Sequence, residues 1–204
     1  YKNIKTIKLV FLFSLSIWLF SLLRNIPPYA YGDGPEYVLM TESFYNHFSP
    51  EIKIQDVKQI IDKNSEYEKT NDIYKKDFYY AIYNSLKINY NNYDLGDKWC
   101  YFKAKNNNYY CYHFWFYSLI NVPARCLTEV LSIHPIISFY ITNIILILLV
   151  VAYILFLYRN TCNFNRILFS IIFIFSSVFW YIVWPHSECF SSTLLLLSIL
   201  LFFD

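Results

Sequence analysis

Hydrophobic residues in this chain are grouped in blocks rather than spread evenly, and the blocks are long enough to be elements in their own right. Val10 to Leu23 is apolar except for three serines, with Lys2, Lys5 and Lys8 before it and Arg24 after it. A membrane-crossing helix needs about 20 apolar residues, and Ile4 to Ile26 meets that length if the stems of Lys5 and Lys8 reach back to the headgroups. A cleaved signal peptide is the competing reading. Arg24, Asn25, Pro27 and Pro28 stand where small residues should mark the cleavage site, although Ala30 leaves it open. Ile136 to Tyr158 is the clearest span, and Ile167 to Trp184 reads as the next, ending in interfacial aromatic residues. Ser191 to Phe203 is short alone and reads, with Cys189 and Phe190, as a further span truncated at Asp204.

The polar segments between the blocks set the sidedness. The N-terminal lysines and the loop holding Arg159 and Arg166 are basic, and short basic loops lie on the cytoplasmic side. Parity then requires that nothing between the first helix and Ile136 crosses the bilayer. The aromatic stretch His113 to Leu131, with Pro123, Arg125 and Glu129, is therefore expected to lie in the membrane plane. A true span is the alternative, and it would place the Arg159 loop outside. The resulting organisation is a first transmembrane helix over 1–26, an outer loop over 27–135, and about three helices over 136–204. The fold class is an all-α membrane protein, a multi-span bundle with in-plane amphipathic helices in its outer loop.

Within that loop, Asp33 can cap a helix, Pro35 suits its first turn, and Glu36 completes a capping box. Tyr37, Met40, Phe44 and Phe48 recur at spacings of three and four, predicting an amphipathic helix resting on the bilayer. Asp56 to Lys63 and Asp77 to Lys87 read as further helices, and Asn89 to Asn108 as turns or a short hairpin.

Composition agrees with a membrane protein. Of 204 residues, 56% are hydrophobic and 22% aromatic, and only 16% are charged, against roughly 25% in soluble domains. A net charge of +2 without long basic blocks excludes nucleic acid as an evident partner. Twelve of the fifteen acids lie between Asp33 and Tyr112, so the outer loop is a folded polar element. The five cysteines form no CxxC pair; Cys100 and Cys111 lie in the outer loop, where an oxidising compartment permits a disulfide. Parity places Cys111 outside and Cys162 inside. The first residue is Tyr and the last apolar run stops at Asp204, which suggests the amino-terminal part of a longer protein.

With three glycines in the whole chain, there is no phosphate-binding glycine loop, and neither HExxH nor GxSxG occurs. No nucleotide cofactor is expected. The remaining candidates are Asp33 and Glu36 after the first helix, His113 at the head of the in-plane segment, and His186 with Glu188 at the second outer turn. The acidic segment YGDGPEYVLM, the aromatic entry YYCYHFWFYSL and the turn WPHSECF follow one another as helix, outer acidic loop, span, basic inner turn and acidic outer turn.

In this layout the chain resembles type C membrane glycosyltransferases, in particular the branch holding protein O-mannosyltransferases and lipid A aminoarabinose transferases. The resemblance implies a polyprenyl-phosphate sugar donor, a lipid, glycan or protein acceptor, and chemistry at the non-cytoplasmic face. By the same resemblance Asp33 is the candidate catalytic base, with Glu36 its neighbour. Gly34 and Pro35 intervene where many relatives have adjacent acids, and Phe114 and Trp115 stand where relatives have a Pro-Pro pair after the Lys or His that His113 matches. Glu188 corresponds to the acidic residue of the second outer turn.

The proposed chemistry explains this residue set. A carboxylate at the membrane surface removes the proton of an acceptor hydroxyl as it attacks the sugar, and His113, His186 or Arg24 can meet the charge developing on the departing phosphate. Members of that superfamily differ in their use of a divalent cation, so a metal stays open. The competing readings are Asp33 as a helix cap only, the histidines as interfacial residues and Glu188 as a helix cap; a transporter and a non-enzymatic membrane scaffold are the alternative functions.

Overall fold

The computed structural model describes residues 2–24, 26–28, 30, 32–68, 77–88 and 101–204. Its elements are α1 (Lys2–Leu22), α2 (Gly34–His47), α3 (Ile54–Glu68), α4 (Asp77–Ile88), β1 (Tyr101–Lys103), β2 (Tyr109–Cys111) and α5 (Phe116–Val130). They continue with α6 (Ile137–Ala152), a π-helical turn (Tyr153–Leu157), α7 (Asn163–Ile174), α8 (Val178–Tyr181) and α9 (Ser187–Phe203). The described chain is thus mostly helical. It divides into two units, one formed by Tyr1–Pro27 with Phe139–Asp204 and the other by Pro28–Ser138.

In the first unit two helices are long and apolar enough to cross a membrane, Asn3–Leu22 and Ile137–Leu157. Its core is formed by Leu15 and Leu19 of α1, Ile144, Ile147 and Val151 of α6, and Phe173 and Ile174 of α7, with Leu200 of α9. Trp18 stacks on Phe179 at 5.8 Å between centroids. The outward faces are as apolar as the inward ones: Val10, Phe13, Leu149, Ile172 and Leu195 are all exposed. A helix apolar all round belongs in a large core or a bilayer.

The run Ile167 to Trp184, expected as one span, is broken. α7 ends at Ile174, and the Ser176 hydroxyl donates to the Phe173 carbonyl at 2.7 Å while accepting from the Val178 N–H. A serine that bonds locally in this way competes with the helical ladder. Only the four-residue α8 follows, and the carbonyls of Tyr181 at its end and of Ile182 and Trp184 after it accept from the Asn143 amide at 3.0 to 3.2 Å. The single amide in the clearest span therefore has a bonding role. Lys8 also departs from expectation, because its amine is buried and donates to the Leu155 carbonyl of the π-helical turn. That carbonyl lies in the last turn of the element, where carbonyls have no intrahelical partner.

The second unit is built around α2, whose residues from Gly34 to Phe44 are all buried. This corrects the expectation of a helix resting on the bilayer: Tyr37, Met40 and Phe44 are core residues, and only Phe48 projects outward. α2 packs against α5 and α3, and α3 packs against α4. Val57, Ile60, Ile82 and Leu86 supply the core from α3 and α4. The α3 start is fixed by Asp56, which accepts from the Lys53 N–H at 2.7 Å and also from Asn46 at 2.8 Å. β1 and β2 pair antiparallel, and Ile52 is bridged to Tyr109. Cys100 lies outside the described residues, and with it the expected disulfide to Cys111.

Candidate functional site

The site begins at a turn. Gly32 has φ of 54°, the left-handed region that glycine enters without steric cost, and it directs the chain into α2 with Asp33 at the N-cap. The cap position agrees with the sequence pattern, but the capping box does not form. Asp33 has helical backbone angles and makes no side-chain cap bond. Its carbonyl accepts from the Glu36 N–H at 3.0 Å, which leaves the carboxylate available for a distant partner.

That partner is His113, between β2 and α5. Its Nε2 lies 3.1 Å from Asp33 Oδ2, and its Nδ1 lies 2.8 Å from Glu36 Oε2. The imidazole is therefore held between two carboxylates. Glu36 is buried, with a side chain 3% exposed, whereas that of Asp33 is 50% exposed. The Tyr37 ring packs against the imidazole at 5.4 Å. Neutral imidazole has one N–H and can serve one of these oxygens; imidazolium has a donor for both. The first turn of α2 adds its positive end to the field at Glu36.

The arrangement grades its members by depth. Glu36 orients the ring from inside, the ring bridges, and Asp33 presents the carboxylate that solvent or a ligand reaches. A buried carboxylate that fixes an imidazole, which in turn fixes an outer reactive group, is the recurring logic of activated sites. The same three residues can each offer one ligand atom, all within 4.8 Å of one another. An imidazole nitrogen with two carboxylate oxygens is a donor set that suits a divalent cation, and the exposure of Asp33 leaves one side open.

His186 and Glu188 form a second pair, in the other unit. His186 is the N-cap of α9 and Glu188 lies in its first turn, with Nδ1 to Oε2 at 3.1 Å. His186 is also packed on Trp184 at 5.5 Å. Arg24 is exposed just beyond the end of α1. Asp33, Glu36 and His113 are thus brought together, His186 and Glu188 are brought together, and each group is a feature of its own unit.

Behind the carboxylate–imidazole cluster is a buried network that sequence reasoning did not assign. Arg125 of α5, fully buried, donates through Nε and Nη2 to Glu42 of α2 at 2.5 and 3.1 Å, and through Nη1 to Glu129 at 2.8 Å. Lys63 of α3 reaches Glu129 at 3.3 Å, and the Tyr45 ring lies 4.4 Å from the guanidinium carbon. Burial opposes the charge of Arg125, but its bonds and attraction to Glu42 and Glu129 outweigh that and hold it above its ordinary value. Further bonds run between the same helices: Ser118 donates to the Tyr37 carbonyl at 3.1 Å and Thr41 to the Ser118 carbonyl at 3.4 Å. The available signal was the presence of Arg125 and Glu129 at i and i+4, on a stretch that also places Ser118, Asn121 and Thr128 at helical spacing from Arg125. Glu42 gave none, because it sits in a helix whose other face is equally well buried. No protein-family model, curated protein or solved structure matches this chain.

Proposed function

We propose that the chain belongs to a multi-span membrane glycosyltransferase of the type C class, transferring a sugar from a polyprenyl-phosphate donor at the non-cytoplasmic face. The observation that supports this most is the cluster of Asp33, Glu36 and His113. In the sequence, its two carboxylates come after an apolar helix long enough to cross a bilayer. The apolar outer faces of α1, α6, α7 and α9 support the membrane part of the reading.

In this reading Asp33 is the general base, since it is the exposed carboxylate. It takes the proton of the acceptor hydroxyl while that oxygen bonds to the anomeric carbon, and the bond from that carbon to the carrier phosphate breaks with its electron pair going to the phosphate. Glu36 and His113 are positioning residues that hold the Asp33 carboxylate in place. A divalent cation, held by one atom each from Asp33, Glu36 and His113, would supply charge stabilisation for the phosphate. Glu188, paired with His186, is a second acidic candidate whose partner is already set.

The test is transfer by the full-length protein from radiolabelled polyprenyl-phosphate sugars. Asp33→Asn is expected to lower the rate about 10² to 10⁴-fold with normal membrane expression. Glu188→Gln measures the second pair in the same assay, and a chelator measures any requirement for a cation. Undiminished transfer by Asp33→Asn removes the base assignment, and absence of transfer by the wild type with any such donor favours the scaffold reading.

A further inference from the structure

The first unit holds a buried charge with no counter-charge. Between Asn3 and Val10 every residue of α1 is exposed except Lys8, which is 6% exposed. A lysine near the end of a membrane-crossing helix ordinarily lays its stem along apolar surface and carries its amine out to water. Here Ile7, Leu9 and Val10 face outward, while the Lys8 amine turns inward and donates to the Leu155 carbonyl at 2.5 Å. The Phe156 ring centre lies 6.0 Å from the same nitrogen. An ammonium has three donors, and among the described residues that carbonyl is its one hydrogen-bond acceptor.

A second cation converges on the same oxygen. Arg166, in the first turn of α7, sends Nη1 to the Leu155 carbonyl at 3.5 Å and Nε to the Thr161 carbonyl at 3.2 Å. The shared oxygen therefore keeps the two cationic nitrogens no more than 6.0 Å apart. Neither meets a carboxylate. The unit contains two acidic residues, Glu188 and Asp204. Glu188 is paired with His186, and the Asp204 oxygens accept from the Tyr153 hydroxyl at 3.0 Å and the Arg159 N–H at 2.8 Å. The start of α7 is uncompensated as well, since Cys162 gives it no side-chain cap and its first turn holds no acid. Its positive end adds to the field of the two side chains. A buried charge needs a paired charge, and carbonyl dipoles do not neutralise two cations.

We propose that Lys8 and Arg166, at the uncapped start of α7, form a binding site for a phosphate monoester. Two fixed cations and a helix start suit a tetrahedral oxyanion of about −1.5 to −2 charge. A carboxylate, with a single charge, would leave one cation unmet. The group can come from a lipid headgroup or from free phosphate, and the position of the site favours lipid. Leu155 is about 3 Å of helical rise from the end of the apolar stretch Ile137–Leu157, and Lys8 about 8 Å from the start of Asn3–Leu22. That is headgroup depth for helices crossing a bilayer, where basic pockets between spans hold anionic lipids. The choice of lipid rests on the membrane placement proposed above; the phosphate chemistry does not, and neither depends on sugar transfer.

The experiment uses the full-length protein in a maltoside detergent free of phosphate. Its thermal unfolding midpoint is titrated with dioleoyl phosphatidic acid, with dioleoyl phosphatidylcholine and with inorganic phosphate, because a ligand of the folded state raises the midpoint. The variants are Lys8→Met, Arg166→Gln and, as control, Lys5→Gln at an exposed lysine of the same helix. The expected result is a saturable rise with phosphatidic acid and none with phosphatidylcholine. Apparent affinity should fall about tenfold in Lys8→Met and in Arg166→Gln and stay unchanged in Lys5→Gln. A rise with inorganic phosphate that the first two variants weaken supports the same site with the free ion as its ligand. An equal rise with phosphatidylcholine, or an equal loss in Lys5→Gln, shows general lipid or charge attraction and overturns the site. No rise with either phosphatidic acid or inorganic phosphate also overturns it. If Lys8→Met does not unfold cooperatively, the half-buried Arg166→Gln decides by the same criteria. Failure here leaves the Asp33 assignment to the transfer assay.

Discussion

His134 shows how a single side chain sets a pH limit for the Pro28–Ser138 unit. Its Nε2 is 2.8 Å from the Asn64 side-chain oxygen, and its Nδ1 accepts from the Ile136 N–H at 3.3 Å. Both contacts are satisfied by the neutral ring with its proton on Nε2; a second proton would face an N–H. Burial, with Arg125 and Lys63 nearby, lowers its pKa from 6.5 to about 4. The unfolded chain therefore binds the proton first, and stability falls as pH drops from 6.5 toward 4. The loss amounts to about 3 kcal/mol. Glu129 acts in the same direction at lower pH, because its hydrogen bond from Arg125 holds it below its ordinary value. Thermal unfolding followed between pH 7 and 4 checks this, and His134→Gln is expected to flatten the upper part of the profile. At the same scale, the positions of Asp33 and Glu36 at the start of a helix were legible from Pro35 and their spacing. What they bond was not, since His113 is 77 residues from Glu36 in the chain.

At the scale of elements, the α2–α5 pair depends on polar contacts buried inside the Pro28–Ser138 unit. Breaking a buried ion pair by removing one partner costs about 3 to 5 kcal/mol, whereas replacing both partners by apolar residues is much milder. Arg125→Ala and Glu42→Ala are each expected to destabilise by that amount, and Arg125→Met with Glu42→Met by less than either. Denaturation midpoints in detergent decide it. The prediction bears on the site, since α2 holds Asp33 and Glu36 while His113 enters α5. Apolar spacing found α2; Asp56 to Lys63 and Asp77 to Lys87 read as helices where α3 and α4 lie, and the sidedness argument leads to a helix in the stretch that holds α5. Periodicity misjudged the environment of α2, because the stripe of Tyr37, Met40 and Phe44 marks only one of its buried faces. Likewise hydropathy alone joined Ile167 to Trp184, since the break comes from the Ser176 hydroxyl and not from a loss of apolar character.

For the whole molecule, the sidedness argument leads to a direct prediction. Cys162 is exposed at the start of α7, and a membrane-impermeant thiol reagent is expected to reach it only from the cytoplasmic side. Cys111 is buried and makes a poor reporter for the other face. Lys58→Cys serves instead and should label only from outside. The reverse pattern would overturn the parity. Block hydrophobicity by itself determined the helical class, the two helices able to cross a bilayer and the polar stretch between them, because these follow from local composition and length. The cluster of two carboxylates around His113, the Arg125 network and the inward polar face of α5 were decided only by the tertiary structure. Each joins residues far apart in the chain, and a buried charge or imidazole takes its role from the partner that packing supplies.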